Sequence, residues 1–221
     1  MTGGGSDWWE DGEKGHFLYK QLTGSFRLEA NVTVIGDPPE DWAKFGVAYR
    51  NTIDTGAGHL QDVSAFVAVT DPNRTSPLGA FQGRTVAGAS AMYNLDRSGA
   101  QPSRVALQRT QVGAPGGWYV VEGFIDTGSG WSKLGQRYQQ MTDAGYAGLV
   151  ATSHKNDPGT TATADFTNVA FTSPVAAVAE AAAVVPAAGN GGVGYFDVTE
   201  VVNSAQTLPG SPGRSPRRSR P

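Results

Sequence analysis

Phe26-Arg27-Leu28-Glu29-Ala30-Asn31-Val32-Thr33-Val34 places an apolar residue at every second position, with charged or polar residues between them. Successive side chains of a β-strand point to opposite faces, so this alternation reads as a strand with one buried and one wet face. Shorter runs of the same kind lie at Lys44–Arg50, Val63–Thr70, Leu78–Arg84, Arg104–Thr110, Trp118–Asp126, Trp131–Arg137, Tyr146–Thr152 and Thr161–Thr172. Turn clusters separate them: Gly36-Asp37-Pro38-Pro39, Asp71-Pro72-Asn73, Gly113 to Gly117, Asp126-Thr127-Gly128 and Asn156-Asp157-Pro158-Gly159. Many short strands with no helical stretch between them predict an all-β antiparallel sandwich rather than a parallel α/β sheet. Phe26, Leu28, Val32, Val47, Val67, Leu107, Val121, Leu149 and Phe166 are expected inside. Phe166 and Phe171 differ in parity, which predicts a bulge near Thr167-Asn168.

Composition agrees. Of 221 residues 30 are glycine and 13 proline, 39% are hydrophobic and only 17% charged, as suits many turns around a real core. No cysteine is present, which removes disulfides, thiolate nucleophiles and zinc–cysteine sites. No apolar run approaches the length of a membrane span, and the first residues, Met1-Thr2-Gly3-Gly4-Gly5-Ser6, do not read as a signal peptide. The formal charge is −3, but Arg214, Arg217, Arg218 and Arg220 fall in the last eight positions, so residues 1–213 carry −3 − 4 = −7. Such a field does not attract nucleic acid. Beyond Pro174 comes an Ala/Val run, then a Gly-rich stretch, then a tail of Pro, Ser, Gly and Arg expected to be disordered. The expected division is therefore 1–173 for the domain and 174–221 for a linker and tail, with Tyr195–Leu208 as the stub of a following module.

Three ordered stretches carry a family resemblance. They are Gly4-Gly5-Ser6-Asp7-Trp8-Trp9 with His16-Phe17-Leu18-Tyr19, the segment Trp42–Arg50, and Val150–His154 with Thr161–Val169. Together they resemble the concanavalin A-like lectin/glucanase jelly-roll domain of secreted bacterial proteins, similar to the "regulation of enolase"-like family, over roughly residues 2–173. The resemblance implies a jelly roll of two packed antiparallel sheets, one of them concave, and an extracellular or cell-surface location. It implies no settled activity, since the fold hosts lectins, glucanases and accessory modules alike. Family members carry one or two strands ahead of the Gly-x-Asp-x-Trp motif, so this chain is expected to lack its first edge strand and to leave an edge prone to association.

Catalysis finds little support in the residues. Glycoside hydrolysis needs two carboxyl groups held at a defined short distance. The nearest pair on one strand, Glu122 and Asp126, is separated by four residues, about 13 Å of backbone. His16, His59 and His154 lie in separate segments, and the adjacent Ser153 and His154 point to opposite faces if they sit on a strand. The acidic run Asp7, Glu10, Asp11 and Glu13 has oxygen ligands of the kind calcium takes, without a recognisable spacing. No other cofactor is expected. Sugar binding fits better, because sugars present apolar ring faces and hydroxyl rims that suit aromatic platforms beside Arg, Gln and His. On Lys44–Arg50, the residues Lys44, Gly46, Ala48 and Arg50 share one face, and Gln82 and Arg84 share a similar face on Leu78–Arg84. The expected ligand site therefore gathers Lys44, Arg50, Gln82 and Arg84 on an open floor, with Trp9, Tyr19, His59 and His154 as rim candidates. Trp8, Trp9 and Trp42 are expected at or near turns; the alternative is that Trp9 and Trp42 plug the sandwich and that Arg50 pairs with a nearby carboxylate. The leading expectation is a non-catalytic binding module for carbohydrate. The second is a structural domain that meets neighbouring protein modules and takes no small ligand, and the third is a glycoside hydrolase. Exposed aromatics beside Arg and Gln favour sugar, whereas a floor covered by the chain's own residues favours the structural reading.

Overall fold

The computed structural model describes residues 1–9, 12–53, 62–73, 78–90, 93–97, 99–157 and 159–173. Among these residues there are strands and turns and no α-helix. In chain order the strands are β1 (Thr2–Gly3), β2 (Asp7–Trp9), β3 (Gly12–Lys14), β4 (His16–Thr23), β5 (Phe26–Ile35), β6 (Lys44–Arg50), β7 (Ser64–Val69), β8 (Gly79–Arg84), β9 (Tyr93–Arg97), β10 (Arg104–Val112), β11 (Trp118–Asp126), β12 (Trp131–Gln140), β13 (Ala144–Thr152) and β14 (Ala162–Thr172). The first sheet runs β1-β14-β5-β10-β11-β12, the second β4-β13-β6-β7-β8-β9, and β2 and β3 form a separate hairpin. All the pairings are antiparallel. The all-β class predicted from the alternating runs is what the chain adopts.

Burial follows the pattern that predicted it. Phe26, Leu28, Ala30 and Val32 of β5 are buried, while Arg27, Glu29 and Asn31 are only partly so. They meet Phe45, Val47 and Tyr49 of β6, Val67 of β7, Phe81 of β8, Leu107 of β10, Val121 of β11 and Leu149 of β13 in one continuous core. Eight of the nine residues expected inside are fully buried there, and Phe166 packs against the cluster from its margin. The expected bulge is present. The β14–β5 register shifts between Thr167 and Ala170, and Asn168 takes φ 51°. Two glycines make room for core rings: a Cβ on Gly123 would fall 2.5 Å from the Phe81 ring, and one on Gly145 would fall 2.0 Å from the Tyr49 hydroxyl.

The first 23 residues depart from expectation. Trp8 and Trp9 lie within a hairpin strand rather than at a turn, because Asp7, Trp8 and Trp9 pair with Lys14, Glu13 and Gly12. Neither Trp9 nor Trp42, both half-buried, plugs the sandwich; Trp8, 3% exposed, packs against Phe66 and Phe17 in a cluster separate from the core between the sheets. His16–Thr23 and Tyr93–Arg97 are strands that no alternation announced. His154 lies beyond the end of β13 with φ 57°, so it does not share a strand with Ser153. Among the described residues, no helix is long and apolar enough to cross a membrane. His59, Glu10, Asp11 and everything from Pro174 onward lie outside the described residues.

Candidate functional site

Rung by rung, the outward face of the second sheet places Tyr146 beside Arg50, Ser64 and Arg84, and Gly148 beside Ala48, Phe66 and Gln82. The predicted Lys44, Arg50, Gln82 and Arg84 therefore share one face, as their parity required. They do not form an open floor. The β2–β3 hairpin lies over them, with Trp8 and Glu13, opposite each other in the hairpin, turned toward the sheet. The Glu13 side chain, 1% exposed, takes Arg84 Nη1 at 2.5 Å, Arg50 Nη2 at 3.5 Å and the Ser64 hydroxyl at 2.8 Å. The Asp62 N–H reaches its second oxygen at 3.3 Å. Arg84 also donates to the Trp9 and Ala89 carbonyls, and Gln82 donates to the Trp8 carbonyl at 2.5 Å. Lys44 donates to Asp7 at 2.5 Å, and His154 Nε2 stands 3.3 Å from the other Asp7 oxygen. Burial pushes the Glu13 carboxyl above its ordinary range, and the two guanidiniums only partly pull it back.

Each predicted residue thus has a definite place. Lys44, Arg50, Gln82 and Arg84 hold the hairpin down. Trp9 contributes its carbonyl to Arg84, and His154 approaches Asp7 at the margin. Tyr19 is 44% exposed on β4, its ring edge-on to Tyr146 at 5.4 Å and tilted to Phe17 at 5.3 Å. Of the acidic run proposed for calcium, Asp7 and Glu13 already face Lys44, Arg50 and Arg84, and no group of three metal-ligating side chains occurs among the described residues. A polar cleft of about 410 Å³ opens beside this margin, between Gly5, Lys14, His16, Lys155, Asp157 and Thr160.

The outward face of the first sheet is built from the same residue types, and no element among the described residues covers it. Its rungs read Arg27–Gln108–Glu122–Gln136, then Glu29–Ala106–Phe124–Lys133, then Asn31–Arg104–Asp126–Trp131. A chain of polar contacts crosses it. Arg104 Nη2 lies 3.5 Å from Glu29, and Arg27 Nε donates to Glu29 at 2.5 Å. Arg27 Nη1 donates to Gln108 at 3.3 Å, Gln108 to Glu122 at 3.0 Å, and Lys133 to Glu122 at 3.0 Å. The rings of Phe124 and Trp131 lie within this network: Arg27 is 4.6 Å and 4.9 Å from their centroids, and Arg104 is 4.3 Å from Trp131. Beyond the polar rungs Tyr138 and Trp118 stand on the same face, 42% and 54% exposed. At the other end Asp126 accepts the Gly128 and Gly130 N–H groups and an Arg104 N–H, which hold its carboxyl below the usual range.

This face was missed, though its signal was present: Gln108 and Glu122 alternate with buried residues as Lys44 and Arg50 do. Set against models of known protein families and against curated proteins, the chain matches none.

Proposed function

We propose that the chain is a non-catalytic binding module, of the concanavalin A-like kind its motifs resemble, that takes carbohydrate on the outward face of the first sheet. One observation carries the reading: Trp118 and Tyr138 project exposed rings from a face on which Gln, Arg, Glu and Lys side chains form a connected polar network around Phe124 and Trp131. Aromatic rings supply a platform for the apolar face of a sugar ring, and fixed amides and guanidiniums supply donors for its hydroxyls. From Trp118 to Phe124 the face runs about 20 Å at roughly 3.3 Å per residue, room for several sugar units. The motif resemblance adds an extracellular or cell-surface setting.

A non-catalytic role fits the carboxylates of this face. Glu29 and Asp126 share the Arg104 guanidinium, and Glu122 pairs with Lys133. Each is thus engaged by an Arg or Lys, so none is set up as a free acid or base for glycoside cleavage. A glycan-array screen of the purified protein, followed by calorimetry on any hit, tests the reading. Trp118→Ala combined with Tyr138→Ala is expected to weaken binding at least tenfold with little change in urea midpoint. Undiminished binding in that variant, or no glycan bound at all, defeats it. The structural reading draws on a specific observation of its own: the floor first expected to hold ligand is filled by the chain's own hairpin.

A further inference from the structure

The β2–β3 hairpin has little of its own to hold it. Each strand is three residues long, and an isolated two-stranded hairpin is at best marginal in water. The chain contains no cysteine that could staple it. Where it meets the second sheet, a lysine, a carboxylate and an imidazole converge from three separate segments. Lys44, the first residue of β6, is 4% exposed and brings Nζ to 2.5 Å from Asp7 Oδ1 on β2. The other Asp7 oxygen, Oδ2, faces His154 Nε2 at 3.3 Å, just past the end of β13. The Trp8 N–H donates to Oδ1 at 2.6 Å. The next rung on the Lys44 face is Val150, Gly46 and Ala68, all buried, and Trp8 belongs to the same apolar cluster as Val150 and Ala68.

We propose that Lys44 and Asp7 condense into an isopeptide bond that ties the hairpin to β6. Adding one C–O bond to the 2.5 Å contact puts Nζ no more than about 3.7 Å from Asp7 Cγ, close to the roughly 3–3.5 Å of a near-attack contact. Burial strips the pair of hydration, so passing a proton from ammonium to carboxylate, which leaves a neutral amine and a neutral acid, costs less than in water. The amine nitrogen then forms a bond to Cγ and gives up a second proton. The Cγ–Oδ2 bond breaks, and Oδ2 leaves as water with both protons from the nitrogen. His154 faces that oxygen and is placed to relay them. Oδ1 stays as the amide carbonyl oxygen, and the Trp8 N–H steadies the negative charge it gathers on the way. Nothing is oxidised or reduced, and one water is released. Contact between the two groups supplies the effective concentration that a free amine and acid lack. The product holds a three-residue strand by a covalent link in a chain without thiols.

Intact-mass spectrometry of the denatured full chain, followed by a tryptic map, is the test. The expected result is a chain lighter than its sequence by one water, with a branched peptide in which Lys44 is joined to Asp7. Lys44→Arg keeps the positive charge and removes the nucleophile; it is expected at its full sequence mass, with a thermal midpoint below that of the wild type. His154→Asn suits the left-handed backbone at this position, φ 57°, and is expected to slow the condensation, leaving a larger uncrosslinked fraction in freshly purified protein. A wild-type chain at full sequence mass, with Lys44 and Asp7 recovered in separate peptides, overturns the inference. So does a water loss that maps elsewhere or persists in Lys44→Arg. Crosslinking of His154→Asn to the wild-type extent overturns the part given to the imidazole. Trp118 and Tyr138 lie on the other sheet, so failure here and failure of the carbohydrate reading are distinguishable.

Discussion

Arg84 and Arg50 keep 1% and 4% of their side-chain surface in water on the second sheet, whereas Arg104 keeps 39% on the first. All three sit on outward-facing strand positions flanked by small or polar residues, and nothing in their own segments distinguishes them. The difference comes from residues far off in sequence. The β2–β3 hairpin brings Glu13 and Trp8 onto one sheet, and no described element covers the other. A face that binds its own chain needs its charges neutralised in a low-dielectric setting, where a lost partner leaves an uncompensated ion. A face open to water has its charges screened, so they remain available to a ligand at small cost to stability.

Removing one partner from each network should separate the two faces most sharply. Glu13→Ala removes the carboxylate that Arg50 and Arg84 share beneath the hairpin and is expected to destabilise the domain by about 3–5 kcal/mol, the range for breaking a buried ion pair. Glu29→Ala takes away the carboxylate shared by Arg27 and Arg104 on the open face and should cost about 1 kcal/mol or less. Urea unfolding of both variants measures the contrast. Equal losses would mean that the open face is as structural as the covered one.

The rings permit a finer cut. Arg104 stacked on Trp131 at 4.3 Å is partly exposed, and a double-mutant cycle on this pair should return a coupling of about 0.5–1 kcal/mol. A coupling several times larger would place Trp131 in a rigid, desolvated setting and remove the distinction between the faces.

Strand alternation made the sandwich readable because period two is local: Phe26 to Val34 state their own burial, and the parity clash of Phe166 and Phe171 states its own bulge. Convergence of Lys44, Arg50, Gln82 and Arg84 was readable for the same reason. What covers them was not, since the hairpin's partners lie 37 to 75 residues away and Asp7-Trp8-Trp9 is too short to show a period. The reading of an open floor failed at that point. Arg109 is a second instance. It follows Val105 and Leu107 on the buried face of β10, where a charge argues against burial, yet it is fully buried. The Thr142 and Asp143 carbonyls accept its N–H groups at 2.7 and 2.9 Å, and the Tyr119 ring lies 3.7 Å away. Carbonyls and rings leave no mark in a local pattern. The open polar face had a legible signal, but a binding surface and a solvated one have the same period.

The smallest effect is in pH, where the two faces carry opposite signs. The Glu13 carboxyl titrates above its ordinary 4.5 because burial disfavours its charge. Between 4.5 and that raised value the folded chain holds a proton that the unfolded chain has released, so stability falls as pH rises through this window. Asp126 titrates below its ordinary 3.8, chiefly through the Gly128 N–H, with the Gly130 N–H and Arg104 adding to it. There the unfolded chain takes the proton first, so the stability present above 3.8 is lost as pH falls through the lowered value. Glu40, held down by Lys155 outside both faces, adds to the lower window, so the variants and not the wild-type curve decide. Urea midpoints across the acid range should lose their decline above 4.5 in Glu13→Gln and lose part of their decline below 3.8 in Asp126→Asn. If Glu13→Gln leaves the upper window unchanged, Glu13 is ionised throughout and the arginines outweigh its burial. The covered face would then be held by charge alone, and the opposition of sign between the faces would be gone.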